Sequence, residues 1–206
     1  MIALFFEVLP KPGQEGAYFE MAAALKPELD ASGGLLFLDR SRSEARPGWF
    51  LSHQFWRDEA SMARWRVNPA HHHAQACGRT DVLADYRLRV AQVVASVAGG
   101  HAIMHEALAG AAAYNDPHVV PERFIISILA SAPLNGMPGE TFASVYDPAL
   151  TVQVVPVESA EAGHSILAHV AVKPALKIAR LCLISRDYTM ANRREAPQFF
   201  QPVAIG

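Results

Sequence analysis

The stretch from Phe55 to Arg79 concentrates the side chains of this chain that could do chemistry. It contains Trp56, Trp65 and three consecutive histidines, His71–His73. Histidine titrates near neutral pH, which suits it to accept and donate protons in catalysis. Neighbouring helical residues point about 100° apart, so three consecutive histidines cannot converge on one metal ion. If the chain has a chemical site, we expect this stretch to form one of its walls.

Each of these residues also has a purely structural interpretation. Trp65 could fill the core between a helix and a sheet, and the histidine run could be the solvated face of a helix. His53 lies in an apolar segment typical of a strand, where it could be a hydrogen-bonded or interfacial histidine. Both interpretations stay open at the level of the sequence.

Glu7 is unusual because it interrupts the apolar segment 2–9. A carboxylate buried without a partner is costly, so we expect Glu7 to pair with Arg87 or Arg89. If it faced a pocket instead, a perturbed pKa would mark a site there.

Composition narrows the class of protein. The 206 residues are 51% hydrophobic and 18% charged, with a net charge of −2, which gives no reason to expect nucleic acid or a membrane as partner. The first ten residues read as a strand rather than a signal peptide, and the two cysteines lie far apart in the sequence. We therefore expect a cytoplasmic protein with reduced thiols. No spacing of a metal site or of a nucleotide-binding loop is present, so no metal ion is expected.

The elements around the histidines can be placed from capping signals. Asp58 is a good N-cap with Glu59 in the first turn, and Asn68-Pro69 starts a second helix that we expect to end at Gly78. Segments 2–9, 35–40, 49–56 and 85–94 are predicted strands, and 14–30 a helix that Pro27 kinks or ends.

The predicted order over residues 1–95 is β-α-β-β-α-β, the ferredoxin-like split βαβ arrangement of an α+β fold. Two helices cover one face of such a sheet, so its other apolar face needs a second sheet. After a linker over 96–121, residues 122–206 predict β-β-β-α-β and a C-terminal tail. We interpret this half as a degenerate second copy without its first helix, and a long insertion after residue 95 is the alternative.

The first 95 residues resemble the antibiotic biosynthesis monooxygenase (ABM) superfamily, whose fold is a dimeric α+β barrel. The resemblance lies in FFEV, LLFLDRS, GWFLSHQFW, W-R-D-E-A-x-x-x-x-W-R with N-P-x-H-x-x-A-Q-x-x-G-R, and the closing segment 85–90. It implies a barrel built by two modules of one chain, with further dimerisation left open.

The resemblance also implies a cofactor-independent monooxygenase acting on a small aromatic or quinol-like compound. Such an enzyme needs an apolar pocket and a base, because the deprotonated substrate passes an electron to oxygen more easily. The base candidates are His53, His72 and His73. The candidate substrate-binding residues are Glu7, Trp65, Asn68 and Tyr86.

Two other functions are compatible with the same fold. One is a non-catalytic protein that binds a small ligand in the same pocket. The other is heme binding or degradation. The resemblance implies that this activity would need three residues: an Asn on the first strand, a Trp and a His ligand. Here the first strand has no Asn, and Gln75 falls at the ligand position.

Overall fold

The computed structural model describes residues 1–104 and 123–197. Within them lie nine strands and five α-helices. Their bounds are β1 Ile2–Pro10, α1 Glu15–Ala24, α2 Lys26–Ala31, β2 Leu35–Ser43, β3 Phe50–Trp56, α3 Glu59–Arg66, α4 Pro69–Cys77, β4 Leu83–Ala98, β5 His101–Met104, β6 Phe124–Ala130, β7 Glu140–Ser144, β8 Thr151–Val157, α5 Ala160–Ala171 and β9 Leu176–Thr189.

The first half forms the predicted split βαβ module. Its strands lie in the order β2-β3-β1-β4, all antiparallel. The two faces of β1 follow the period of two: Ile2 packs with Trp65 and other residues of the helical side, whereas Ala3 and Phe5 pack with the second half.

The second half repeats the strand order of the first. Its sheet runs β7-β8-β6-β9, and α5 packs on its outer face. No helix lies between β6 and β7, in residues 131–139, which belong to the described part of the chain. The predicted degenerate copy without its first helix is therefore confirmed.

The two sheets join at both edges and close into a barrel within one chain. Strand β4 pairs with β9 along most of its length, and β2 pairs with β7 over three residues. The space between the sheets is filled by an apolar cluster drawn from both halves, including Phe5, Phe55 and Phe142. The apolar face that the first sheet leaves uncovered is thus buried by the second, as predicted.

The structure differs from the predicted bounds at three places. The first helix divides at Leu25, so that Pro27 lies in the first turn of α2, where its missing N–H costs nothing. Gly78 does not end the helical segment, because a π-helical turn, Gly78–Val82, continues it. The last three residues of β4, 96–98, and all of β5 lie inside the segment predicted as a linker. Residues 105–121 of that segment lie outside the described residues. The module boundaries themselves stay a prediction.

Candidate functional site

A cavity of about 180 Å³ lies between the outer face of the first sheet and the helices α1 to α4. Its roof includes Tyr18 and Met21 from α1, Trp65 from α3 and His71 from α4. Pockets for drug-sized ligands have volumes of roughly 300–1,000 Å³, so this cavity fits a small ligand.

The floor of the cavity follows from the register of five neighbouring strands, β2-β3-β1-β4-β9. Side chains in register across the strands form two rows, Arg40-Ser52-Phe6-Leu88-Tyr188 and Leu38-Gln54-Leu4-Val90-Arg186. The middle of each row is apolar, and an arginine stands at one end of each. Four strand spacings separate the β2 and β9 ends by about 19 Å.

Two capped helices position the aromatic wall. The Asp58 carboxylate accepts a hydrogen bond from Ser61 N at 2.7 Å and starts α3, which carries Trp65. The Asn68 side chain accepts one from His71 N at 3.0 Å and starts α4. The rings of Trp65 and His71 stack with centroids 4.4 Å apart and an angle of 14° between their planes.

The hydrogen bond of His71 to Trp65 indicates its tautomer. Its Nδ1 lies 3.0 Å from the carbonyl oxygen of Trp65, which can only accept, so Nδ1 carries the proton in this contact. Nε2 is then the acceptor nitrogen, and the side-chain nitrogen of Gln75 lies 3.2 Å from Nδ1 and 3.5 Å from Nε2. Burial lowers the pKa of His71 to about 4, with the hydrogen bond to Trp65 opposing the shift and the nearby His72 adding to it. His71 is neutral at pH 7 and can accept a proton.

The β9 end of the cavity is polar and is completed by the second half of the chain. Arg186, Tyr188 and Arg193, which lies beyond β9, all line the cavity. Arg186 forms an ion pair with Glu59 on α3 at 2.5 Å. Burial raises the pKa of the Tyr86 phenol, although Arg193 and Arg79 act in the opposite direction.

The structure brings two of the predicted site residues, Trp65 and Tyr86, into the cavity lining. His72 and His73 are exposed on α4. His53 is fully buried in the barrel interior, where its Nε2 lies 2.7 Å from Ser127 Oγ and its Nδ1 3.0 Å from the oxygen of Leu4. Burial lowers the pKa of His53 to about 3. The catalytic role of these three histidines stays a prediction without a contact to the cavity.

Glu7 and Asn68 do not line the cavity either. Glu7 faces the barrel interior, where it pairs with Arg89, one of the two expected partners, and with Arg46 at 2.5 Å. Asn68 caps α4 and donates to Glu28 at 2.9 Å. These contacts account for both side chains structurally, and their roles in substrate binding stay predictions.

The histidine that lines the cavity, His71, was not among the predicted bases. A signal for it exists in the sequence, because it occupies the histidine position of N-P-x-H. The hydrogen bond that His71 N donates to the Asn68 side chain places His71 in the first turn of α4, beside the end of α3. The arginines of the second half carried no such signal.

No group of three or more His, Cys, Asp or Glu side chains in residues 1–104 and 123–197 is placed to hold a metal ion. In the same residues, every helix is too short or too polar to cross a membrane.

Comparison with known proteins finds similarity in the first half of the chain. Residues 1–76 match the model of the antibiotic biosynthesis monooxygenase family. A relative from Pyricularia oryzae, jasmonate monooxygenase ABM, is 50% identical over 97 residues. The match covers 47% of this chain and 45% of the relative, which is less than half of either protein.

Solved structures are similar to the chain at low sequence identity. A protein from Shewanella oneidensis has 17% identity and a TM-score of 0.40, covering 43% of this chain and 86% of its own. An anthrone oxidase-like protein has 10% identity and a TM-score of 0.41, covering 91% and 92% respectively.

Proposed function

We propose that the cavity is the active site of a monooxygenase that oxidises a small aromatic or quinol-like compound without a bound cofactor. The observation that carries the proposal is a neutral histidine, His71, that lines a largely apolar cavity, stacks on Trp65 and has Nε2 as its acceptor nitrogen. The family of residues 1–76 and the likeness to a jasmonate monooxygenase support oxygenation. Jasmonate is therefore a further candidate substrate.

The proposed first step is proton transfer from a substrate hydroxyl to His71 Nε2. The imidazolium that forms keeps its Nδ1–H bond to the Trp65 carbonyl and lies 4.4 Å from the indole ring, which stabilises positive charge. His71 is thus a weak base before the reaction, and the Trp65 carbonyl and indole ring stabilise its imidazolium once it has accepted the proton.

The substrate anion supplies the electrons for oxygen. One electron passes from the anion to O₂, and the two radicals combine to form a peroxide at a ring carbon that bears hydrogen. Loss of water from this peroxide leaves a carbonyl at that carbon. One oxygen atom ends in the product and the other in water, and the substrate provides all the electrons. The apolar floor, Phe6 and Leu88 among it, holds the ring and excludes water.

An oxygen electrode tests the proposal with a panel of quinols, anthrones and jasmonate. We expect uptake with at least one compound and a loss of about 10²–10⁴-fold in rate for His71→Gln, the range of a general base. The control is His164→Gln, an exposed histidine on α5 outside the cavity lining, which should retain the wild-type rate. Equal rates for wild type and His71→Gln would contradict the role of His71.

A non-catalytic binding protein is the second candidate, because the same cavity would hold a ligand without reacting. Saturable binding of a panel compound with no oxygen uptake would identify it. Both readouts are needed on the same preparation, with folding of each variant checked by its melting temperature.

Heme fits these residues poorly. Strand β1 carries no asparagine, Gln75 stands at the ligand position, and the cavity of about 180 Å³ is smaller than pockets for drug-sized ligands. We expect no saturable Soret shift when hemin is added. A saturable shift that His71→Gln abolishes would overturn the cofactor-free proposal.

A further inference from the structure

One corner of the cavity lining carries hydrogen-bond donors. Tyr18 on α1, Arg40 on β2 and Ser52 on β3 all line the cavity, and Arg40 and Ser52 are neighbours in register. Tyr18 and Ser52 are buried, whereas Arg40 is partly exposed. These three side chains form what we call the donor corner.

The Tyr18 hydroxyl can donate to a ligand. Arg40 forms a hydrogen bond with this phenol, and a guanidinium can only donate, so the phenolic oxygen is the acceptor in that contact. The O–H of Tyr18 is therefore not used there. Burial raises the pKa of Tyr18, although the charge and the hydrogen bond of Arg40 act in the opposite direction, so the phenol is protonated at neutral pH.

Arg40 and Ser52 add two further donors. Arg40 donates to the Tyr146 hydroxyl at 2.9 Å, whereas its Nε is buried and has no hydrogen-bond partner among residues 1–104 and 123–197. Ser52 Oγ accepts from Gln54 Nε2 at 3.3 Å, so its own O–H is not used in that bond. Buried donors are normally paired, so an acceptor oxygen of a ligand suits this corner.

The donor corner and His71 lie towards different sides of the cavity. The Tyr18 ring stacks with Phe50 of β3, with centroids 6.2 Å apart. Trp65, on which His71 stacks, packs in an apolar cluster with Val90 of β4. Strand β1 lies between β3 and β4, which are thus about 10 Å apart. A ligand that fills the cavity can therefore reach an acceptor nitrogen with one end and donors with the other.

We infer that Tyr18, Arg40 and Ser52 bind an acceptor oxygen, and that the ligand carries a hydroxyl group and a carbonyl-type oxygen at opposite ends of its ring system. The inference rests on the proposed function for the place of the hydroxyl at His71, and it adds the second oxygen. Donors at that oxygen also stabilise the substrate anion, because conjugation through the ring moves part of its charge there. The donor corner itself requires only binding and no oxygenation.

Binding of a matched pair of probes tests it: 4-hydroxyacetophenone and 4-isopropenylphenol, titrated calorimetrically at pH 6 under nitrogen. The two phenols have similar shapes and are both protonated at this pH, but only the ketone has an acceptor oxygen. We expect the wild type to bind the ketone at least about tenfold more tightly than the alkene. Tyr18→Phe should remove about tenfold of that preference and leave the affinity for the alkene unchanged, because only the ketone uses the hydroxyl.

A second variant keeps the test independent of Tyr18→Phe. Arg40→Gln should also reduce the preference for the ketone, since it removes a donor and the hydrogen bond to Tyr18. Its matched control is Arg42→Gln, which neutralises an exposed arginine on the same strand outside the cavity lining and should keep the wild-type preference. Melting temperatures establish that each variant is folded.

Three results would overturn the inference. These are equal affinities of the wild type for both probes, no binding of either probe, and a preference that stays unchanged in folded Tyr18→Phe.

The oxygen electrode separates this inference from the proposed function. A preference for the ketone that depends on Tyr18, without oxygen uptake from any compound of the panel, would leave the donor corner standing and refute the monooxygenase. Oxygen uptake that depends on His71, together with equal affinities for the two probes, would do the reverse.

Discussion

Because His71 is buried as a neutral imidazole, we predict that the protein loses stability as the pH falls below neutral. Its pKa is about 4 in the folded protein and 6.5 in the unfolded chain. Between these values the unfolded chain binds one proton that the folded protein does not. The free energy of unfolding must therefore fall as the pH falls through this window, by about 1.4 kcal/mol per pH unit for this one group.

From pH 7 to pH 5 the contribution of His71 amounts to about 2 kcal/mol. At pH 5 the folded imidazole is still largely neutral, so this figure changes little if the folded pKa lies somewhat above or below 4. The typical free energy of unfolding of a domain is about 5–15 kcal/mol, which makes the loss easy to measure. His53, whose pKa is lowered to about 3, adds a similar loss in the wild type and in variants at position 71.

The assay is urea unfolding of the wild type and His71→Gln at pH 7 and pH 5. Glutamine keeps an N–H for the Trp65 carbonyl but does not titrate. The wild type should lose about 2 kcal/mol more than His71→Gln between the two pH values, because all other titrating groups are shared. His164→Gln, which alters an exposed side chain on α5, should follow the wild type. If wild type and His71→Gln lose stability in parallel, burial does not hold the imidazole neutral and the argument for a neutral base fails.

Two further pairs of variants test the packing around the barrel by urea unfolding. Glu7→Gln should cost about 3–5 kcal/mol, because it leaves the buried Arg89 without its ion-pair partner, whereas Glu15→Gln, which breaks an exposed pair, should cost less than about 1 kcal/mol. A small cost for Glu7→Gln would show that Arg89 finds water instead. Gly163→Ala should cost about 1–3 kcal/mol, since its Cβ would lie 2.4 Å from a buried leucine methyl group on β9, and Gly16→Ala, with open space around it in α1, should stabilise by up to about 1 kcal/mol. Stabilisation by both alanines would mean that α5 can move away from the sheet.

Local features of the sequence were sufficient for the elements of the first module. The alternation of apolar residues gave its strands, and Asp58 and Asn68 gave the starts of α3 and α4, because caps and periodicity are short-range properties. One partner of Glu7, Arg89, was also predictable, since a buried carboxylate needs a cation and the neighbouring strand supplies one; the second partner, Arg46, lies in the loop between β2 and β3 and was not predicted.

The choice among three consecutive histidines was not predictable in the same way. His71, His72 and His73 share a chemistry and differ only in direction by about 100° per residue. Which of them enters the cavity depends on the rotation of α4 against the sheet, and packing of Trp65 and Ala74 between helix and sheet decides that rotation.

The sequence by itself determined the order of strands and helices, the caps and the need for a second sheet, because each follows from neighbouring residues or from an uncovered apolar face. Only the tertiary structure decided that His71 faces the cavity and that Arg193 lies beside Arg79 and Tyr86. The position of Arg193 depends on the pairing of β4 with β9, which joins segments about a hundred residues apart. The alternation within each strand does not encode that register, because it shows which face a side chain takes and not which strand lies beside it.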